Sequence, residues 1–302
     1  MGWNANNVPD QTGKHIIVTG SNSGIGFEAA KVLAAKGAHV TLACRNADKA
    51  KAAQAQILKA HKNATVETGS LDLASLKSVA AFAKAYRKKQ GTLDILINNA
   101  GVMVPPYGKT EDGFELQFGC NHLGHFALTA QLIDLINASP EGRVVSVASQ
   151  AHRGGRINFD DLNWEKGYKP WPAYGQSKIA NLYFTYELDR NLKDAGHTTR
   201  ATAAHPGYSS TNLQRTMTAG TIANAIFAQS QKAGALPTLR AATDPDAESG
   251  SYWGPNGIME MRGAPVKVKS NGRSHDKRVA RRLWEISEEL TGQSFALQAR
   301  TA

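Results

Sequence analysis

Short apolar runs alternate with stretches of helical spacing along the first two-thirds of the chain. HIIVTG (15–20) is an apolar run closed by Gly20, and GFEAAKVLAAKG then repeats its apolar residues at helical intervals up to Gly37. AHVTLACR (38–45) is the next strand pattern, followed by the helical NADKAKAAQAQILKAH, for which Asn46 is the expected N-cap. ATVETGSLDL holds a third strand. ASLKSVAAFAKAYRKKQG is helical and ends in a basic turn and Gly91. LDILINNAG is a fourth strand, a long helix is expected from about Glu111 to Ala138, and GRVVSVAS is a fifth strand. A further helix carries Tyr174, and RATAAHPG is a sixth strand.

Strand and helix in strict alternation mean parallel βαβ units, and strands this short and apolar are buried on both faces. The pattern predicts an α/β fold: a doubly wound, Rossmann-type parallel sheet with helices on both faces. Neither a Pro- or Ser-rich linker nor a repeat divides residues 1–302, so one domain is expected. From about 208 to 268 the rhythm breaks into mixed Gly, Ser, Thr and Pro with scattered large apolar residues, the pattern of a lid over a substrate. Near the end, Val279, Leu283, Ile286 and Leu290 form one stripe of an amphipathic helix.

Two local patterns carry chemistry. TGSNSGIG (19–26) joins the first strand to the first helix, where glycines let the backbone approach a pyrophosphate at a helix N-terminus. YGQSK sets Tyr174 and Lys178 four apart, on one face of a helix. A cation beside a phenol favours the phenolate, so this pair is expected to form a general acid with a depressed pKa. His122 and His125 share a helix face but lack a third ligand, so no metal is expected. Adjacent Asp160 and Asp161 diverge and read as a solvated loop. Trp164, Tyr168 and Trp171 either line a substrate mouth or pack their loop onto the body.

Composition narrows the classes. The 302 residues are 41% hydrophobic and 20% charged, ordinary for a globular chain with a large core. The two cysteines, Cys44 and Cys120, suggest no disulfide framework, so a reducing, cytoplasmic compartment is expected. No leader precedes the first strand, and no run is long enough for a membrane span, so stable membrane insertion is not expected. The formal net charge of +10 gathers late, in VKVKSNGRSHDKRVARR. Without a zinc-finger spacing or an aromatic RNA-binding signature it reads as the solvated face of a capping helix, and no nucleic-acid partner is expected.

Taken in order, these motifs resemble the short-chain dehydrogenase/reductase family from about Lys14 to Gly207. Gly20, Ser21, Asn22, Ser23, Gly24, Ile25 and Gly26 resemble its cofactor loop, and Asp72 and Leu73 the pair at the adenine ring. Asn98, Asn99, Ala100 and Gly101 resemble the motif bordering the cofactor. His205, Pro206 and Gly207 with Thr211 resemble the segment that holds the nicotinamide carboxamide. The resemblance implies that Tyr174 is the acid/base, that Lys178 holds the nicotinamide ribose, that Ser149 rather than Ser146 orients the substrate, and that Asn121 anchors a water in the proton relay. The long segment between Ser149 and Tyr174, with NHLGHF, is similar to the retinol dehydrogenase and protochlorophyllide reductase branch. A homodimer through the Tyr174 helix and a monomer both remain open.

The implied function is interconversion of a carbonyl and an alcohol. A non-catalytic dinucleotide sensor on the same fold is the alternative. The second strand ends in Arg45 and Asn46 with no acid before Asp48. Where an acid would hold a ribose 2′-hydroxyl, an Arg accommodates a 2′-phosphate, so NADP(H) is expected. Leu213, Met217, Ile222, Ile226, Phe227 and Leu236 in the lid suggest a lipophilic substrate.

Overall fold

The alternation of β1 (His15–Thr19) sets the layers of the molecule. In the computed structural model, which describes residues 2–208 and 229–297, Ile16 and Val18 pack into one apolar cluster and Ile17 into another. β4 (Ile95–Asn98) divides the same way, with Ile95 and Ile97 on the first side and Leu96 on the second. On the first face lie α1 (Gly24–Ala35) and α2 (Ala47–Ala60). The second face is covered by α3 (Leu76–Lys89), α4 (Gly124–Ala138) and α5 (Pro170–Asp194). With β2 (His39–Cys44), β3 (Thr65–Ser70), β5 (Arg143–Val147) and β6 (Arg200–Ala204) the sheet is the doubly wound parallel type expected. Asn46 caps α2, accepting the Lys49 amide at 2.8 Å.

The stretch expected as a lid contributes to the body. α6 (Gln231–Thr243) packs on the α1 side of the sheet through Ala235, Leu239, Ala241 and Ala242, and Leu236 leans on the same cluster. The Arg143 guanidinium ties β5 to its end, donating to the carbonyls of Ala241 and Asp244 at 3.0 Å each. Among the described residues β7 (Tyr252–Pro255) and β8 (Pro265–Lys267) complete an eight-stranded sheet in the order β3-β2-β1-β4-β5-β6-β7-β8, in which β8 alone is antiparallel. The remaining lid positions named above, from Thr211 to Phe227, lie outside the described residues.

The helix expected from Glu111 starts later. Gly113 turns with φ +86°, and Glu115 caps the amides of Gln117 and Phe118 at 2.9 and 2.7 Å. A π-helical turn at Gly119–Leu123 then leads into α4. Such a turn widens the helix by one residue and is frequent at functional sites; this one carries Asn121. α7 (Lys277–Thr291) buries Leu283 and Trp284, with Val279 and Leu290 half-buried on the same side. Among the described residues no helix is long and apolar enough to cross a membrane, and both cysteines are free and buried.

Candidate active site

The carboxyl ends of the parallel strands open into one cavity of about 1260 Å³. Its floor begins where β1 stops. Gly20 has φ +64°, and a Cβ there would stand 2.8 Å from the Ala100 Cβ, so only glycine lets the two loops meet. At Gly26 a Cβ would collide with the Asn99 amide nitrogen, which donates to the Thr19 carbonyl at 2.8 Å. Gly26→Ala is therefore expected to lower the urea midpoint, with a loss of roughly 1–3 kcal/mol. An unchanged midpoint would show that the loop absorbs the methyl group.

The N-terminus of α1 faces this floor. Asn46 caps α2 and Ser75 caps α3 through side-chain oxygens, whereas the α1 cap, Ser23, makes no such bond. The first amides of α1 are thus left for an anion, and their dipole favours one. Asn22, Ser23, Gly24 and Ile25 line the cavity beside Gly20 and Gly26. Ser21 does not. Its hydroxyl turns inward to the Val18 carbonyl at 2.7 Å, because the loop must satisfy the end of β1. Asp72, Leu73, Asn99, Ala100 and Gly101 line the next section, and Arg45 stands at its edge, Nε 3.9 Å from an Asp72 oxygen. Asn46 is committed to its helix cap and is not in the lining. This shape, an uncapped helix end in a glycine-walled cradle, fits a dinucleotide.

At the far end stand Ser149, Tyr174 and Lys178. Ser149 follows β5 and accepts the Ala151 amide at 3.2 Å. Lys178 gives Nζ to the Val147 carbonyl at 3.1 Å and lies 5.6 Å from the centre of the Tyr174 ring. Burial pushes the Tyr174 phenol up to about 12, opposed by a hydrogen bond with Ser149. This reverses the expected depression: the ring is enclosed, and desolvation outweighs the Ser149 hydrogen bond. Burial also lowers Lys178 to about 8. The phenol therefore holds its proton throughout the neutral range, the form that donates. Ser146 is within β5, paired with Asn98 and Ala203 in the sheet.

Asn121 sits behind the cavity wall and does not line it. It clasps the Val102 backbone through both side-chain atoms, at 2.8 and 2.9 Å, and donates to Ser177 at 2.9 Å. Pro206 and Gly207 are in the lining, and Thr211 lies outside the described residues. Of the three aromatic candidates, Trp171 lines the mouth. Tyr168 packs its loop, donating to the Pro105 carbonyl at 2.9 Å, and Trp164 is not in the lining. His122 and His125 are enclosed, bonded to Ser287 and Thr19 at 2.9 Å each, and no metal-binding cluster exists among the described residues.

Sequence reasoning missed the wall opposite Tyr174. Met259, Glu260 and Met261, between β7 and β8, line the cavity with Gln150 and Arg153. His205 Nδ1 accepts the Gly207 amide at 3.2 Å, so its Nε2 proton points to Glu260 at 2.9 Å. Gln150 and Arg153 also donate to this carboxylate, at 2.5 and 3.0 Å. The His205 bond foremost holds the Glu260 carboxyl below its usual range.

A family model described as short chain dehydrogenase matches residues 14–221. Retinol dehydrogenase 13 of Homo sapiens is 42% identical over 292 residues, spanning 93% of this chain and 85% of that protein. The crystal structure of an uncharacterized protein from Mycobacterium paratuberculosis is 43% identical, with a TM-score of 0.83 over 98% of this chain and 99% of that one. A protein of Beutenbergia cavernae described as an NAD(P)-dependent gluconate 5-dehydrogenase, with NADP bound at low occupancy, is 25% identical, with a TM-score of 0.65 over 81% of this chain and 96% of that one.

Proposed function

Because the chain belongs to the short-chain dehydrogenase/reductase family, we propose that this oxidoreductase uses NADP(H) to interconvert a carbonyl and an alcohol on a lipophilic substrate, with Tyr174 as general acid. One observation carries the reading: Ser149, Tyr174 and Lys178 share a single cavity with the uncapped N-terminus of α1.

Bound NADP(H) would supply or accept the hydride; the chain manages the proton. Tyr174 holds it at Oη, Ser149 supports that oxygen, and Lys178 brings positive charge to the same enclosed space. Gly20, Gly26 and the α1 amides would hold the pyrophosphate, with Asp72, Leu73 and Gly101 along the rest of the dinucleotide. Asn121 acts through Val102 and Ser177 rather than by direct contact. Val102, Met103, Trp171, Pro172, Met259 and Met261 give the substrate end an apolar lining, which favours lipophilic carbonyl compounds. The human relative is named for retinol, an alcohol of that kind.

The test is consumption of NADPH with a panel of ketones, aldehydes and quinones of graded lipophilicity. Turnover rising with lipophilicity is expected. No turnover with any member, or better turnover of small polar aldehydes, overturns the reading. The cofactor preference has its own test. Arg45 lies at the cavity edge and is largely exposed, so its contact with a 2′-phosphate takes the lower end of a charge-assisted bond, about ten-fold in affinity. Arg45→Ala should raise the NADPH dissociation constant by about that factor and leave that for NADH unchanged. Equal affinity of the unaltered protein for both cofactors would count against NADP(H).

A further inference from the structure

A second concavity, of about 500 Å³, lies between the inserted segment after Ser149 and the first turn of α7. Arg156, Arg273, Arg278 and Arg282 surround it, and the single carboxylate in its lining is Asp276. That carboxylate already accepts the amides of Arg278 and Val279, at 2.9 and 3.2 Å, as the cap of α7. Among the described residues no carboxylate forms an ion pair with any of the four arginines. Arg273 donates to the Gly155 carbonyl at 2.8 Å, and Arg282 stacks over Phe159 with its guanidinium carbon 4.1 Å from the ring centre. Like charges drawn around one hollow repel, and a solvated helix face does not require them to converge.

We propose that this cleft is a binding site for an organic phosphomonoester with an apolar body, separate from the dinucleotide cavity. Guanidinium forks match phosphate oxygens in pairs, and a dianion gains more from four of them than a carboxylate does. The hollow is larger than a phosphate group requires. Ile157, Phe159 and Val279 give part of its wall an apolar surface suited to a hydrocarbon or aromatic body. Two sources offer this chemistry: a free phosphate ester, or the headgroup of a lipid such as phosphatidic acid. One segment of the chain flanks both the cleft and the large cavity. Arg153 and Gly154 line the large cavity and Arg156 lines the cleft, so a ligand held by Arg156 bears on the segment that begins at Ser149.

Calorimetric titration of phenyl phosphate into the full chain, with phenol as the neutral control, tests the site. Phenyl phosphate should bind and phenol should not. The double variant Arg278→Gln/Arg282→Gln should weaken binding about ten-fold or more, and added salt should weaken it in the unaltered protein. If thermal melting shows that the double variant does not fold, Arg156→Gln, on the other wall, serves in its place with the same expectation. Sedimentation with phosphatidylcholine vesicles carrying phosphatidic acid separates the sources. Vesicle binding lost in the variant assigns the phosphate to a lipid surface; phenyl phosphate binding without vesicle binding assigns it to a free ester. The proposal is overturned by equal affinity of variant and unaltered protein. It is also overturned if neither vesicles nor phenyl phosphate below about 10 mM bind.

Discussion

Tyr174→Phe is expected to cut the rate of carbonyl reduction by about 10²–10⁴-fold while dinucleotide affinity stays unchanged. The change removes only the phenolic oxygen, so the T-shaped contact of the ring with Trp171 and the cation above it survive. What is lost is the proton that burial keeps on the phenol up to about pH 12. The same geometry fixes a pH profile. Lys178 is charged below about 8 and neutral above it, well before the phenol titrates. Reduction should be flat through neutrality and fall as pH rises past about 8. Stopped-flow reduction with the preferred carbonyl compound measures both effects. A Phe variant retaining more than about a tenth of the rate removes Tyr174 from the role of acid.

Stability should collapse on mild acidification. Burial lowers His122 to about 3 and His125 and His152 to about 4, from an unfolded value of 6.5. Between those values the unfolded chain binds protons that the folded one refuses, so stability rises with pH there and is lost as pH falls. At pH 5 each histidine costs about 2 kcal/mol, and three together approach the whole stability of an ordinary domain. Glu260, whose carboxyl is held low by His205, contributes stability that is present above the ordinary value of 4.5 and lost as pH falls below it, so its loss adds to the acid end of the histidine window. Urea midpoints between pH 7 and pH 5 are the measurement. A flat series would mean that the folded protein accepts these protons, against the enclosure of His122 and His125.

The parts legible in the sequence are those whose physics is local. β1, β2, β4, β5 and β6 are buried on both faces and leave apolar runs, while the edge strand β3 buries only Val66, and the Gly20–Gly26 loop needs small residues wherever it touches Ala100 and Asn99. α6 was illegible because Pro237 sits inside it, where a proline reads as a break. β7 and β8 are too short for an alternation to register. Glu260 joins the cavity by folding back from a distant loop onto His205, Gln150 and Arg153, and no spacing encodes such a meeting. Ser21 and Asn46 stand in the right stretches, but their side chains serve the backbone beside them. The phenol shift went the other way because a pairing rule weighs the ammonium and cannot see the enclosure of the ring.

The sheet ends in two unlike margins, and both discourage assembly by strand addition. At one margin β3 holds Glu67 in an ion pair with Lys89, with the His39 ring beside it, so a foreign strand would have to dock alongside bound charge. At the other, β8 is three residues long and opens with Pro265, which has no amide hydrogen to offer. A continuous sixteen-stranded ribbon across two copies is thereby disfavoured, as is the edge-to-edge stacking that seeds fibrils. Self-association of this chain is then expected at surfaces other than the described sheet edges.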